Sequence, residues 1–289
     1  MIYRPLPDCY EFNEPLCCGP LPFPGASVLG MGCAGLGQDY PPGTSGVYGD
    51  EAIQLIHTAL EAGINVFDTS PRYGDSEALV SKALNLKQDE FSAAILTKFD
   101  PEDYEQASRS INRLKRVPLY WQATPRTQQG RALVCRLGEI RARVTFNSWI
   151  SEVDVNIGVG YSVHEEMEAA AAATLGLDQL QIPFNVHDQR FRPFLQLRDR
   201  LAIFTRSPLL RGTIHDDLRA LRFAFFGYSE EECPTSVFLG IKSEKEIFRA
   251  LEALGAGRLE DDEIEDIYTA RCRDLDAIEP RRWDGYVPS

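Results

Sequence analysis

Ile64-Asn-Val-Phe-Asp-Thr-Ser-Pro-Arg-Tyr-Gly-Asp-Ser-Glu77, continued by Ala94-Ile-Leu-Thr-Lys98, sets a strand, a loop, a helix and a second strand in succession. Ile64 to Phe67 reads as a short buried strand, and Asp68 sits where that strand runs out. A loop with Pro71 and Gly74 carries Tyr73, and Ser76-Glu77 opens a helix through Ala78, Leu79, Ala83 and Leu84. The next apolar run ends in Lys98. An acid, a phenol and an amine thus fall at the carboxyl ends of two consecutive strands, where open α/β sheets and β/α barrels place their chemistry.

Outward from this stretch the alternation repeats. Upstream, Ser27 to Gly35 is a small-residue strand that becomes a loop, and a helix is expected from Asp50 to Ala62, closed by Gly63. Downstream, the pattern predicts a helix over 102–114, a strand over 117–122, helical chain from 127, and a strand over 154–159. Residues 138–152 read equally as an edge strand or as the end of the preceding helix. A helix over 164–175, a strand over 180–183, a helix over 191–198 and a strand over 201–205 follow. The last units are a helix over 216–226, a strand over 236–239 and a helix over 243–254. Residues 1–26, rich in Pro, Cys and Gly, read as an irregular lead-in or hairpin. The acidic tail from Glu260 to Asp276 reads as helix, packed across a barrel end or solvated.

Eight strand-then-helix units without a break in composition point to one (β/α)8 barrel spanning 1–289 as a single domain. An open doubly wound sheet is the alternative. Gly30-Met-Gly-Cys-Ala-Gly35 spells the dinucleotide fingerprint, but a lone match is weak. No acid follows at the end of a second strand in the ribose-binding manner.

Composition narrows the functional classes. At 289 residues, 44% hydrophobic and 25% charged, the chain has globular values. Its net charge of −13 argues against nucleic acid or an anionic membrane as the main partner. Seven cysteines are an odd number without C-x-x-C spacing, and adjacent Cys17-Cys18 reads as two reduced thiols rather than a redox or metal site. The first residues lack the apolar core of a signal peptide, and no stretch is long enough to cross a bilayer, so a cytoplasmic protein is expected.

Asp68-Thr-x-x-x-Tyr73-Gly-x-Ser-Glu77 with Lys98 resembles the active-site signature of the aldo-keto reductase superfamily. Gly158-Val159 is similar to that family's glycine–valine strand, Gln181-Ile-Pro-Phe-Asn185 to its Q-x-P-x-N, and Ser207-Pro-Leu209 to its S-P-L turn. The resemblance implies a TIM barrel that uses NADP(H) or NAD(H), without flavin or metal, to reduce the carbonyl of a small aldehyde or ketone. It also implies roles. Tyr73 would be the proton donor, assisted by Lys98 and by Asp68, which can pair with Lys98. The cofactor would be held by Gln181, Arg206, Ser207, Leu209, Gly240, Lys242, Ser243 and Glu246. Chemically the trio is coherent: a phenol is a reluctant acid near neutrality. A neighbouring ammonium favours phenolate and is expected to lower that pKa.

The chain also departs from the pattern. The family's catalytic histidine, ending the fourth strand, is matched by Ala123 in Leu119-Tyr-Trp-Gln-Ala-Thr124. The serine–asparagine pair that meets the nicotinamide amide falls on Gly160-Tyr161. His164 and His187 read as surface or core histidines, with His164 the candidate to supply a missing imidazole. These departures motivate an alternative: a cofactor-independent lyase, isomerase or cyclase of a biosynthetic pathway, using Tyr73 and Lys98 as an acid–base pair. A non-catalytic binding or regulatory protein is a third class. The 39–46 and 211–233 loops and Trp121 are expected to shape the substrate pocket, with Phe225, Phe226 and Tyr228 as apolar walls.

Overall fold

The computed structural model describes residues 26–41, 43–87, 93–115, 120–124, 158–174 and 177–283. The expected lead-in over 1–25, the helical chain from 127 and the ambiguous 138–152 segment lie outside these residues. Among the described residues eight parallel strands close into a barrel in chain order. They are β1 (Leu29–Gly32), β2 (Val66–Asp68), β3 (Ala94–Phe99), β4 (Tyr120–Ala123), β5 (Gly158–Ser162), β6 (Gln179–Pro183), β7 (Ala202–Arg206) and β8 (Ser236–Gly240). β1 pairs with both β2 and β8, which leaves no free edge. The barrel is the architecture expected from the alternation, and the doubly wound alternative falls.

The helices of the first half form where expected: α1 (Gly49–Glu61), α2 (Ser76–Leu86) and α3 (Tyr104–Leu114). Each turns apolar side chains inward, such as Ile53, Ile56 and Leu60 of α1. In the second half α4 (Glu166–Thr174), α5 (Arg192–Leu195), α6 (Asp217–Phe226) and α7 (Glu244–Gly255) follow their strands. The tail is not one helix. It divides into α8 (Asp261–Thr269) and α9 (Leu275–Ile278), and the Pro280–Arg282 turn then reaches the barrel mouth.

Strand side chains alternate between the helical layer and the barrel interior. Phe99, Trp121, Ala123, Val159 and Leu180 point outward and pack with Ala107 of α3 and Ala169 of α4. Inside, Val66, Leu96, Ala202, Phe204 and Phe238 form an apolar cluster with Ala26. A polar layer contains Gln122, whose Nε2 donates to Gln179 Oε1 at 3.3 Å. Gly160 lies in register with both of these residues. A Cβ at position 160 would overlap the Gln179 side chain, so glycine makes the room that glutamine fills.

Residues 154–157 of the expected fifth strand lie outside the described residues; its described part, β5, runs on to Ser162, three residues past the anticipated end. Gly160 and Tyr161 fall between the expected strand and the expected helix; closure of the barrel carries the strand through them.

Gly160→Ala should overpack the interior at a cost of about 1–3 kcal/mol, lowering the thermal midpoint by several degrees. Adding Gln179→Ala should return part of the loss, as read by circular dichroism. A single mutant melting like the parent would disprove this account of the interior.

Candidate functional site

The carboxyl end of the barrel opens into a cavity of about 940 Å³. Asp68 is the last residue of β2, and Lys98 is the penultimate residue of β3. Both are buried. Lys98 Nζ donates to Asp68 Oδ1 at 2.7 Å and to the Thr69 carbonyl at 3.1 Å. Gln181, on β6 across the barrel, donates from Nε2 to the same Asp68 Oδ1 at 3.2 Å. Ser162 at the end of β5 donates its hydroxyl to Gln181 Oε1 at 2.8 Å. A continuous chain Ser162–Gln181–Asp68–Lys98 thus runs across the barrel and lines the cavity.

Tyr73 reaches this chain from the loop between β2 and α2. The loop is tied down locally: Tyr73 N–H donates to the Ser70 carbonyl, and Ser76 N–H donates to the Tyr73 carbonyl. Gly74 has a φ of 51°. A Cβ there would also collide with the Gly37 carbonyl, so the turn requires glycine on both counts. The Ser76 hydroxyl donates to the Cys33 carbonyl at 3.1 Å and meets the Thr69 hydroxyl at 2.8 Å, fixing the start of α2 to the ends of β1 and β2. As a result the Lys98 ammonium lies 5.0 Å from the centre of the Tyr73 ring.

Electrostatics correct one expectation. Burial pushes the Tyr73 phenol above its ordinary value, with Asp68 and Tyr40 adding to the rise. Lys98 pulls it down, but not far enough to reverse the sign. Burial disfavours the Lys98 ammonium, yet Asp68 and Tyr73 outweigh that and leave its pKa raised. The physical reason is that most of the lysine's charge is answered by a carboxylate at 2.7 Å. Tyr73 is therefore a protonated donor beside a cation across neutral pH.

Of the other anticipated site residues, Arg206, Ser207, Leu209, Gly240, Lys242 and Glu246 line the same cavity. Ser243 instead caps α7, its side chain accepting from the Glu246 N–H. Glu246 Oε2 accepts from the Lys242 N–H at 2.6 Å, and Lys242 Nζ donates to Thr44 Oγ1 at 3.0 Å. Arg206 Nη2 donates to the Val163 carbonyl at 2.8 Å and meets His164 Nδ1 at 2.9 Å. His164 lines the cavity; His187 belongs to the loop after β6 and does not line it.

Ala123 points into the outer layer, and the residue of that chain segment that reaches the cavity is Thr124. Trp121 does not shape the pocket: it is fully buried, edge-on to Phe99 at 6.1 Å between ring centres. Phe225 and Tyr228 are likewise core residues, not pocket walls, and Phe226 packs beside the core. Tyr40, Pro41 and Thr44 of the 39–46 loop and Arg211 and Gly212 after β7 do line the cavity, as anticipated.

Sequence reasoning missed Ser162, because the fifth strand was expected to end before it. It also missed Arg72 beside Tyr73 and the tail residues Glu279 to Arg281. Arg72 pairs with Asp100 at 3.2 Å. A side chain two positions beyond Gly160 on an extended strand shares its face, and that was the available signal for Ser162.

The lining carries six Lys or Arg side chains against four Asp or Glu, in a chain of net charge −13. The mouth of an acidic protein is thus locally suited to an anion. Among the described residues no cluster of His, Cys, Asp and Glu could hold a metal ion, and no helix is long and apolar enough to cross a membrane.

Fold and site together define a (β/α)8 barrel with a buried acid–phenol–amine centre at its carboxyl end. Residues 28–117, which carry Asp68, Tyr73 and Lys98, match the model of the aldo/keto reductase family. Through that segment the chain is similar to the aldo/keto reductase family. Solved structures agree on the fold. The chain is similar to an aldo-keto reductase from Klebsiella pneumoniae in complex with NADPH (TM-score 0.64, 14% identity, 84% of this chain and 90% of that one). It is also similar to the holo form of an aldo-keto reductase from Bacillus halodurans (TM-score 0.60, 17% identity, 89% and 96%). A third, the Brucella melitensis aldo/keto reductase, gives a TM-score of 0.60 at 18% identity over 84% and 94%. No curated protein matches the sequence.

In an ultraviolet titration referenced to Tyr73→Phe, the Tyr73 phenol should ionise above pH 10, the ordinary value for a phenol. Lys98→Met removes the group that favours phenolate and should move the midpoint higher still. A midpoint below 10 in the parent protein would refute the balance described above.

Proposed function

We propose that this protein is an NAD(P)H-dependent oxidoreductase that reduces the carbonyl of a small aldehyde or ketone. The observation that carries the reading is the Lys98–Asp68 pair at 2.7 Å, with Tyr73 over the same amine and Gln181 on the same carboxylate, all facing one cavity. That cavity lies at the upper end of the range typical of small-molecule and cofactor sites. Its surplus of cations fits a ligand carrying phosphates.

Gln181, with Ser162 holding its carbonyl oxygen, would meet the nicotinamide amide; Ser207 and Leu209 would shape the adjoining wall. Arg206, Gly240, Lys242 and Glu246 would line the path to the phosphates, with Ser243 ordering the start of α7 beside them. A bound nicotinamide supplies a hydride for the carbonyl carbon. As charge develops on the carbonyl oxygen, Tyr73 donates its proton there. Lys98 stabilises the phenolate left behind, so its ammonium is worth more at the end of the step than at the start. Asp68 holds Lys98 and balances its charge in a dry site, where a lone amine would tend to lose its proton. Thr124 and His164 face the same space and offer polar contacts to the substrate.

Titration with NADPH and NADH, followed by quenching of protein fluorescence, should show saturable binding of at least one nucleotide. Tyr73→Phe should keep that binding while kcat for carbonyl reduction drops about 10²-fold or more. Absence of nucleotide binding at millimolar concentration removes hydride transfer. Turnover by nucleotide-free protein would favour cofactor-independent chemistry instead.

A further inference from the structure

Glu77 is a buried carboxyl in the first turn of α2 that touches neither the cavity nor the acid–phenol–amine trio. Its Oε1 accepts from the hydroxyl of Thr97 at 2.8 Å. Thr97 is the residue immediately before Lys98 on β3, and it is fully buried. Glu77 Oε2 lies 3.4 Å from Arg113 Nη1 of α3, and the same nitrogen donates to the Pro71 carbonyl at 3.4 Å. One carboxyl therefore ties together the strand that carries Lys98, the helix that follows Tyr73, and, through Arg113, the loop that holds Tyr73.

For stability alone this is a poor choice of residue. Arg113 is half exposed while Glu77 is buried, so the ion pair is weak compensation for taking a carboxyl out of water. A packed leucine would serve the core at least as well, but it could not accept the Thr97 hydroxyl. Ser76, its neighbour, fixes the same helix start to β1 and β2 from the other side. Together the two residues fix the start of α2, next to the Tyr73 loop, against the ends of β1 and β2 and against β3.

We propose that Glu77, acting through Thr97 and Arg113, is a positioning residue that holds the Tyr73 loop in register with Lys98. The inference rests on the oxidoreductase reading for its kinetic arm only. A misplacement of about 1 Å at a reacting centre can cost about 10²-fold in rate, so loss of the tether is expected to show in the chemical step before it shows in binding.

The test uses three variants of the full chain. Glu77→Leu and Thr97→Val each remove the hydrogen bond, the second with almost no change of shape. Glu77→Gln keeps an acceptor at Oε1. Glu77→Leu and Thr97→Val should each lower kcat about tenfold or more, with KM for the nucleotide changed less than about twofold, and the double variant should be no worse than either alone. Glu77→Gln should restore most of the rate. Unchanged kcat in Thr97→Val, or an equal loss in Glu77→Gln and Glu77→Leu, would overturn the proposal.

A second arm needs no turnover. The Tyr73 phenol faces Lys98, Asp68 and Tyr40, none of which is altered. In Thr97→Val, loosening of the loop changes both the water around the phenol and its distance from Lys98, so the titration midpoint should move away from the parent's. An unmoved titration counts against the tether. Should the parent protein bind no nucleotide, the oxidoreductase reading falls while this arm still decides the positioning role.

Discussion

A lysine and an aspartate held 2.7 Å apart out of water are the constraint on which the site depends. Neither is affordable there alone: an unpaired buried ion costs several kcal/mol, and an amine in such surroundings tends to lose its proton. Together, with Gln181 and the Thr69 carbonyl completing their hydrogen bonds, they form a fixed charge distribution at the floor of a deep pocket. Tyr73 derives its character from that distribution. Burial keeps its proton on, and the adjacent ammonium is ready to stabilise the phenolate when the proton leaves.

Such a pair can persist only if the strands that carry it cannot shift. Closure of eight parallel strands supplies that rigidity, and the interior is graded to match. Apolar side chains of β2, β3, β7 and β8 fill one part of the barrel, glutamines of β4 and β6 another, and ionised groups gather at the mouth. The tail contributes there too. Burial disfavours ionisation of the Glu279 carboxyl, but Arg281 and Arg206 overcome that and hold its pKa below the usual range, and Glu279 also pairs with Arg190 of the loop after β6 at 3.6 Å.

Much of this was legible in the linear chain. The spacing of Asp68, Tyr73 and Lys98 is local: two strands, one loop and one helix put them together, and each element has its own periodic signal. The long-range partners were harder. Gln181 was anticipated only through a family resemblance, and its bond to Asp68 spans more than a hundred residues. Ser162 was missed because Gly160 and Tyr161 disguise the end of β5. Trp121 was expected to shape the pocket, yet strand parity turns it into the helical layer.

By itself the sequence determined the alternation of strand and helix, the eightfold count and the trio of reactive groups, since those follow from periodicity and nearest neighbours. The sign of the Tyr73 shift, the side of the barrel faced by positions 121 to 124, and the network of Ser162, Gln181 and Glu77 were decided only by the tertiary structure. The physical reason is that burial and strand parity are properties of the closed barrel. No window of residues contains the neighbours that exclude the water or fix the register.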